Sequence, residues 1–152
     1  MIRIMFICHG NICRSPMAEF VFKHMVNEQG REHQFQIASR ATSREEIGND
    51  IHPGTRRKLK DMHVAFSPRK AVQFTKADYE NYDYILCMDS YNIRNLKRII
   101  GPNASMDKVK RLLDFSDKPR DIADPWYTGN FDETYEDIVE GCTALLRFID
   151  ER

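Results

Sequence analysis

A thiol and a guanidinium stand close together near the start of the chain, at Cys8 and Arg14. They lie in a loop between the apolar run 2–7 and a helical pattern that begins at Pro16. A loop that wraps around a helix N-terminus directs its backbone N–H groups at one point, where the helix dipole adds positive charge. These surroundings also favour the thiolate form of a cysteine, which is its nucleophilic form. The spacing therefore predicts a nucleophile beside a binding site for an oxyanion such as phosphate.

The same loop supplies further contacts for an oxyanion. Arg14 offers a planar fork that can hold two phosphoryl oxygens at once. Gly10 permits close backbone approach or a positive φ, and Asn11 is one of the few other residues that tolerate the left-handed region. Ser15 is a good N-cap and Pro16 a good first helical residue, so we predict that a helix begins there. The predicted phosphate-binding residues are His9, Gly10, Asn11, Ile12, Cys13 and Arg14.

The chain has 152 residues, the size of one domain, and its 23 basic and 23 acidic residues cancel. This balance gives no electrostatic reason to expect binding to nucleic acid or to a membrane surface. No apolar run approaches the length of a membrane span, and the N-terminal segment lacks a signal-peptide pattern. The four cysteines have neither metal-site spacing nor the density of a secreted disulfide scaffold. We expect a monomeric cytoplasmic protein without a metal or other cofactor.

Apolar patterning outside the loop predicts strands that alternate with helices. The predicted strands are at 2–7, 35–39, 84–88 and 109–113. Helices are predicted at 16–29, from Pro53 onward, after Asp89 and after Asp132. Such alternation produces a parallel sheet with right-handed crossovers and helices on both faces. The prediction is a single α/β domain over residues 1–152, with three layers and a four-stranded parallel sheet.

Polar residues that follow the predicted strands should meet at one edge of the sheet. Cys8, Ser39 and Asp89 each lie at or just beyond a strand end, and a long loop at 114–131 follows the fourth strand. Ligands of open parallel sheets bind beyond the carboxyl ends of the strands. We therefore expect these residues to surround one site, which includes the predicted oxyanion loop.

A reaction that expels an alkoxide or phenolate also needs a proton donor. Asp124 is the candidate, because it lies in the long loop and precedes Pro125, which holds it in extended backbone. Two aromatic residues, Trp126 and Tyr127, follow directly. Asp-Pro pairs are common in turns. The assignment of Asp124 as an acid therefore depends on its meeting the oxyanion loop at the same edge.

These motifs resemble those of the low-molecular-weight protein tyrosine phosphatases. Residues 8–16, with their Cys-x5-Arg-Ser pattern, are similar to the family's phosphate-binding loop, and residues 124–127 are similar to its acid loop. The resemblance covers nearly the entire chain. It implies a four-stranded parallel sheet flanked by helices, no metal, a phosphocysteine intermediate, and phosphotyrosine-containing proteins as substrates.

The resemblance also implies roles for residues at the centre of the site. Cys8 would be the nucleophile, Arg14 would hold the phosphoryl oxygens, and Asp124 would protonate the leaving group. Ser15 matches a serine whose hydroxyl stabilises the thiolate. Tyr127, at the second position after the proline, would flank the substrate ring.

Asn11 and Ser39 match residues that support the strained backbone of the family's loop. Many members carry a histidine around residues 67–71 that joins this asparagine–serine network. This chain has Pro68 and Arg69 there instead. The pattern therefore predicts only part of the loop support.

Other functions remain open from the sequence. Phosphoarginine hydrolysis uses the same fold and loop, but arginine-directed members carry threonine at the position of Ile12, and an apolar wall suits a phenyl ring better than a guanidinium. The predicted pocket wall is Ile12, Trp126 and Tyr127. A thiol-dependent arsenate reductase would need two further cysteines after the third strand, where this chain offers only Cys87. A non-catalytic phosphate-binding module would need neither a nucleophile nor a proton donor.

Cys13, His9 and Cys142 have no role in the two-step phosphatase reaction that the resemblance implies. Cys13 lies on the same tight arc as Cys8, and a disulfide requires their Cα atoms to be within about 7 Å. The family's loops often carry this second cysteine, so we predict that Cys13 is a redox partner that captures oxidised Cys8. The alternative is that Cys13 packs beneath the loop. His9 is expected to point to solvent, and Cys142 to belong to a helix core.

Overall fold

A computed structural model describes all residues from 1 to 152 and contains a four-stranded, entirely parallel sheet. The strands are β1 (Ile2–Cys8), β2 (Phe35–Ala41), β3 (Tyr84–Cys87) and β4 (Val109–Arg111), in the order β2-β1-β3-β4. The chain moves outward from β1 in both directions, first to β2 and then to β3. The carboxyl end of β1 therefore lies at the switch in strand order, where open parallel sheets bind ligands.

The chain also contains six α-helices. They are α1 (Arg14–Glu28), α2 (Pro53–Asp61), α3 (Lys76–Asn81), α4 (Ser90–Ile100), α5 (Pro125–Thr128) and α6 (Phe131–Asp150). Short 3₁₀ turns lie at Glu32–Gln34 and Leu112–Phe115. None of the helices combines the length and the apolar character that crossing a bilayer requires.

The two faces of the sheet pack against separate apolar cores. Ile4 and Phe6 of β1 join a large cluster with α1 and α6, whereas Met5 and Ile7 join a smaller cluster with α4. All four side chains are fully buried, because successive residues of a strand point to opposite faces. This arrangement confirms the predicted three-layer α/β domain and explains the unbroken apolar run at 2–7.

The start of α1 differs from the prediction. The helix begins at Arg14, and the N-cap position is Cys13, which makes no side-chain capping bond. The prediction that Ser15 is the N-cap was therefore wrong. Its hydroxyl bonds within the preceding loop instead, 3.0 Å from the Cys8 Sγ. A local capping preference was overridden by a tertiary contact of the same side chain.

Smaller differences occur elsewhere in the chain. The fourth strand ends at Arg111 rather than at residue 113, because the next residues turn into a 3₁₀ helix. The second strand continues past Ser39 to Ala41. The sequence did not predict α3, which begins with a capping box between Thr75 and Asp78, nor α5 inside the long loop.

Candidate active site

The loop of residues 8–15 carries Cys8 from the end of β1 to the first turn of α1. The Cys8 Sγ lies 3.0 Å from the Ser15 Oγ and accepts a hydrogen bond from the Asn11 N–H at 3.2 Å. Cys8 and Ser15 are both buried. Donors directed at a sulfur stabilise its thiolate form. The loop thus surrounds this sulfur with groups that suit a negative charge.

Asn11 holds the 8–15 loop in shape. Its φ is 60°, in the left-handed region that the sequence indicated. Its Nδ2 donates to the Ser15 Oγ at 2.7 Å and to the Ser39 Oγ at 3.0 Å. Because the Ser15 oxygen accepts from Asn11, its own proton is free to point at the cysteine sulfur. Gly10 does not have a positive φ, and an added Cβ would lie 3.3 Å from the Glu46 Cγ, so a larger residue would crowd that side chain.

Arg14 is almost completely buried, and three groups fix its guanidinium. Its Nη1 donates to the Asp89 Oδ2 at 2.7 Å and to the Ile122 carbonyl at 2.8 Å, while Nη2 lies 3.4 Å from the Asp124 Oδ2. Burial alone would lower the pKa of Arg14, but the negative charges of Cys8, Asp89 and Asp124 raise it above its ordinary value. The site therefore contains a charged fork with a fixed orientation.

Asp124 comes directly before α5 and faces the same guanidinium. Its backbone is extended, with φ −83° and ψ 114°, as expected before Pro125. Its Oδ1 accepts a hydrogen bond from the Trp126 N–H at 3.0 Å, which caps α5, and its Oδ2 lies near Arg14. The side chain keeps 22% of its exposure. A carboxyl group in this position can exchange a proton with a molecule in the site.

A cavity of about 110 Å³ joins these groups. Cys8, Ile12 and Asp124 line it together with the two aromatic side chains Trp126 and Tyr127. The aromatic side chains are 56% and 83% exposed, whereas Cys8 is buried. The cavity therefore leads from an aromatic opening to a charged inner end.

Acidic side chains at the opening of the cavity were not predicted. Glu45 and Glu46 both line it, and the His9 Nε2 lies 2.5 Å from the Glu45 Oε2. The expectation that His9 simply points to solvent was therefore incomplete, since its partly exposed ring is paired. The His52 ring also packs against Trp126, with 5.7 Å between ring centroids, and so supports one aromatic wall.

Cys13 is a buried free thiol in the same loop. Burial, together with the negative charges of Cys8 and Asp124, raises the pKa of Cys13 to about 12. Its thiol is therefore uncharged near neutral pH. Cys142 is also buried, as predicted for a helix-core residue, and so is Cys87.

Sequence similarity to known proteins identifies the family of this chain. A family model described as low molecular weight phosphotyrosine protein phosphatase matches residues 3–152. The chain is 40% identical over 152 residues to the low molecular weight protein-tyrosine-phosphatase YfkJ of Bacillus subtilis, covering 98% of this chain and 96% of that protein. It is 36% identical over 150 residues to PtpA of Staphylococcus epidermidis, covering 98% and 94%. The chain belongs to the low-molecular-weight phosphotyrosine protein phosphatase family.

Solved structures of phosphatases from this family share the fold. The crystal structure of YfkJ from Bacillus subtilis superposes with a TM-score of 0.95 at 38% identity, covering 99% of this chain and 96% of that one. The structure of SP-PTP from Streptococcus pyogenes gives a TM-score of 0.85 at 39% identity, covering 97% and 92%. The four-stranded parallel sheet is thus the phosphatase fold, and this chain is a phosphatase of low molecular weight.

Two charged residues behind the phosphatase loop were missed by the sequence analysis. The Arg69 guanidinium donates to the main-chain and side-chain oxygens of Asn11, and the Glu19 Oε1 accepts from the Ser39 Oγ at 2.6 Å. The departure from the family's histidine was the one available signal for Arg69. Glu19 could have been suspected because it interrupts the apolar residues of α1. No group of His, Cys, Asp or Glu side chains is arranged to hold a metal ion.

Proposed function

We propose that this phosphatase hydrolyses phosphotyrosine in proteins through a phosphocysteine intermediate. The observation that carries the proposal is that Cys8, Arg14 and Asp124 line the same cavity. Binding alone would require only cations and N–H groups, whereas a thiol and a carboxyl group supply the nucleophile and the proton donor that turnover needs. The combination supports catalysis over a binding module.

In the first step, the Cys8 thiolate attacks phosphorus in line with the departing phenolic oxygen. Arg14 and the N–H groups of the 8–15 loop bind the three equatorial oxygens. The sulfur–phosphorus bond forms while the bond from phosphorus to the phenolic oxygen breaks, and Asp124 gives its proton to that oxygen. The products of this step are phosphocysteine and an unmodified tyrosine side chain.

In the second step, a water molecule attacks the phosphorus of the phosphocysteine, and Asp124 takes a proton from that water. The sulfur–phosphorus bond breaks, its electron pair returns to Cys8, and inorganic phosphate leaves. The Ser15 hydroxyl at 3.0 Å and the Asn11 N–H at 3.2 Å stabilise the departing thiolate. The same contacts therefore serve the sulfur as nucleophile and as leaving group.

The cavity wall favours an aryl phosphate over phosphoarginine. Ile12 is buried and lines the cavity, and Trp126 and Tyr127 flank its opening. Apolar and aromatic surfaces stabilise a phenyl ring and themselves offer no acceptor to a guanidinium, so the acceptors left for phosphoarginine are the carboxylates of Glu45, Glu46 and Asp124. An arsenate reductase mechanism lacks support, because Cys87 is fully buried in β3 and has no cysteine partner nearby in sequence.

We also propose that the enzyme acts as a monomer in the cytoplasm. One chain supplies every group that the mechanism uses, so no second copy is required. All four cysteines are free thiols, which suits a reducing compartment. The mechanism uses no cofactor, and the balanced charge gives no reason to invoke nucleic acid or a membrane.

Turnover of matched phosphopeptides tests the proposed function. Among peptides that carry phosphotyrosine, phosphoserine or phosphoarginine in one sequence, the phosphotyrosine peptide should be hydrolysed fastest. Cys8→Ser should retain phosphate binding but lose turnover, because a hydroxyl is a far weaker nucleophile. Cys142→Ala, which changes a buried thiol that does not line the cavity, serves as the control. Faster hydrolysis of phosphoarginine, or an active Cys8→Ser variant, would contradict the proposal.

A further inference from the structure

Arg69 is bound to the 8–15 loop, although it lies 58 residues beyond Asn11 in the sequence. Its Nη1 donates to the Asn11 carbonyl oxygen at 2.5 Å, and its Nη2 donates to the Asn11 Oδ1. The same Nη2 lies 3.3 Å from the Ser39 Oγ. One guanidinium thus contacts both oxygens of the residue that holds the loop in the left-handed region.

An arginine determines which way the Asn11 amide faces, because a guanidinium donates hydrogen bonds and never accepts them. The Val72 N–H also donates to the Asn11 Oδ1, at 3.2 Å. With two donors on that side, the amide Nδ2 must face the hydroxyl oxygens of Ser15 and Ser39. An amide turned by half a rotation would place its own N–H groups against other donors.

The orientation of the Asn11 amide also sets the direction of the hydrogen bond between Ser15 and the Cys8 sulfur. Because the Ser15 Oγ accepts from the Asn11 Nδ2 at 2.7 Å, the Ser15 proton can point at the Cys8 Sγ at 3.0 Å. On the other branch, Ser39 accepts from Asn11 and donates to the Glu19 carboxylate at 2.6 Å. Each hydroxyl therefore has a defined donor role.

Arg69 keeps its positive charge, so its N–H groups donate to the Asn11 oxygens at any pH used for an assay. Burial lowers the pKa of Arg69, while the negative charges of Glu19, Cys8 and Asp50 act in the opposite direction. A guanidinium nevertheless remains protonated in proteins. The Arg69 N–H also donates to the Asp50 Oδ1 at 3.1 Å, which anchors its backbone.

We propose that Arg69 is a positioning residue for Cys8: it orients the Asn11 amide and, through Ser15, the hydrogen bond that stabilises the Cys8 thiolate. The inference rests on the proposed function, in which this sulfur is both nucleophile and leaving group. Arg69 does not line the substrate cavity. Its removal should therefore act on kcat and leave the binding of phosphate almost unchanged.

The test compares Arg69→Met and Arg69→Lys with Lys70→Met, which removes a charge from the adjacent exposed residue. Arg69→Met should lower kcat on an aryl phosphate by about tenfold or more, the effect of one or two hydrogen bonds. KM and the inhibition constant of inorganic phosphate should stay within about threefold, because Arg14 and the loop N–H groups remain. Arg69→Lys should recover part of kcat, since an ammonium keeps the charge but cannot bind two oxygens with a fork.

A double-mutant cycle shows whether Arg69 acts through the Asn11 side chain. Asn11→Gly keeps the left-handed backbone accessible and removes the amide. In that background, Arg69→Met should lower kcat by a clearly smaller factor than in the wild type. An equal factor in both backgrounds would show that Arg69 acts by another route and would overturn the inference.

Three further outcomes would also overturn it: a kcat for Arg69→Met within twofold of wild type, an equal loss in Lys70→Met, or a loss that appears mainly in KM. If Arg69→Met does not fold, Arg69→Lys is the test. A wild-type kcat in Arg69→Lys would show that the guanidinium's contact with both Asn11 oxygens is not needed, and it would overturn the inference. The proposed function fails separately, through an active Cys8→Ser variant.

Discussion

Asp89 binds the Arg14 guanidinium with one carboxylate oxygen and caps α4 with the other. Its Oδ2 accepts from the Arg14 Nη1 at 2.7 Å, while its Oδ1 accepts from the Asn92 N–H at 2.8 Å. Asp89→Asn should keep the cap, since asparagine is an equally good N-cap. It should lower kcat/KM by about tenfold, because an amide that keeps the cap turns its NH2 group towards the Arg14 Nη1, which then has no acceptor at this position. Steady-state kinetics and the melting temperature measure the two effects separately.

The control for Asp89→Asn is Thr75→Ala, which removes the N-cap of α3 away from the cavity. It should reduce the free energy of unfolding by about 1 kcal/mol without changing kcat/KM. An Asp89→Asn variant that loses stability but keeps full activity would mean that the carboxylate serves the helix alone.

Asp124→Asn should slow substrates according to the basicity of their leaving group. The amide retains the size of the side chain and its capping bond to α5 but cannot donate an acidic proton. Phosphotyrosine peptides should lose kcat by a factor of about 10² or more, whereas an aryl phosphate with a strongly acidic phenol should be affected far less in its first step. The burst of phenol release reports that step. Equal slowing of both substrates would remove Asp124 as the acid.

Tyr127→Ala should raise KM for phosphotyrosine peptides more than it lowers kcat, because the exposed ring lines the opening of the cavity rather than its inner end at Cys8. The preference for phosphotyrosine over phosphoserine should shrink. Tyr91→Ala, which removes another exposed tyrosine ring from α4 outside the cavity, is the matched control and should change neither value. An unchanged preference in Tyr127→Ala would show that another surface selects the substrate.

Peroxide should inactivate the enzyme reversibly through Cys13. Peroxide converts the Cys8 thiolate to a sulfenic acid, and attack by the Cys13 sulfur then expels water and leaves a disulfide. Because the pKa of Cys13 is raised to about 12, little thiolate is present at pH 7, and the capture step should accelerate as pH rises towards 9. Intact mass should show the loss of two hydrogens.

Recovery with a thiol reductant distinguishes the two roles of Cys13. Wild-type enzyme should regain most of its activity, whereas Cys13→Ser should regain less because its sulfenic acid is oxidised further. Cys142→Ser keeps both loop thiols and should recover like wild type. Equal recovery of all three proteins would leave Cys13 as a packing residue.

Stability should decline at alkaline pH because buried thiols stay protonated in the native state. Burial raises the pKa of Cys142, and also that of Cys87, whereas the same thiols ionise near pH 8.5 in the unfolded chain. Above that pH the unfolded chain has released protons that the folded chain keeps, so the free energy of unfolding falls as pH rises. Denaturant unfolding between pH 8 and 10.5 measures the slope. Cys142→Ala should make it shallower, and an unchanged slope would rule out this thiol as a contributor.

The sheet and the central residues of the site could be predicted because their signals are local. The apolar run of β1, the Cys-x5-Arg spacing and the Asp124-Pro125 pair each lie within a few residues of sequence. Parallel topology then brings the strand ends together without any knowledge of side-chain contacts.

The support behind the loop could not be predicted in the same way. Nothing in the neighbouring sequence distinguishes Arg69, which turns inward, from Lys70, which remains exposed. Its contacts with Asn11 are formed by tertiary packing. The error at Ser15 has a related cause, since a helix-capping preference of about 1 kcal/mol competes with hydrogen bonds to Asn11 and Cys8 in a buried site.

The central position of β1 also determines how the site would be lost during local unfolding. β1 pairs with β2 from Ile2 to Cys8 and with β3 from Ile4 to Ile7. Its amide protons should therefore exchange with solvent only when the sheet itself opens, whereas those of the four-residue helix α5 should exchange through local opening of that helix. Opening of α5 would displace Asp124, the proposed proton donor, while Cys8 stays anchored. Under the proposed mechanism, a molecule in that state should still be phosphorylated by an activated aryl phosphate, but it would lack the carboxylate proposed to take a proton from the attacking water.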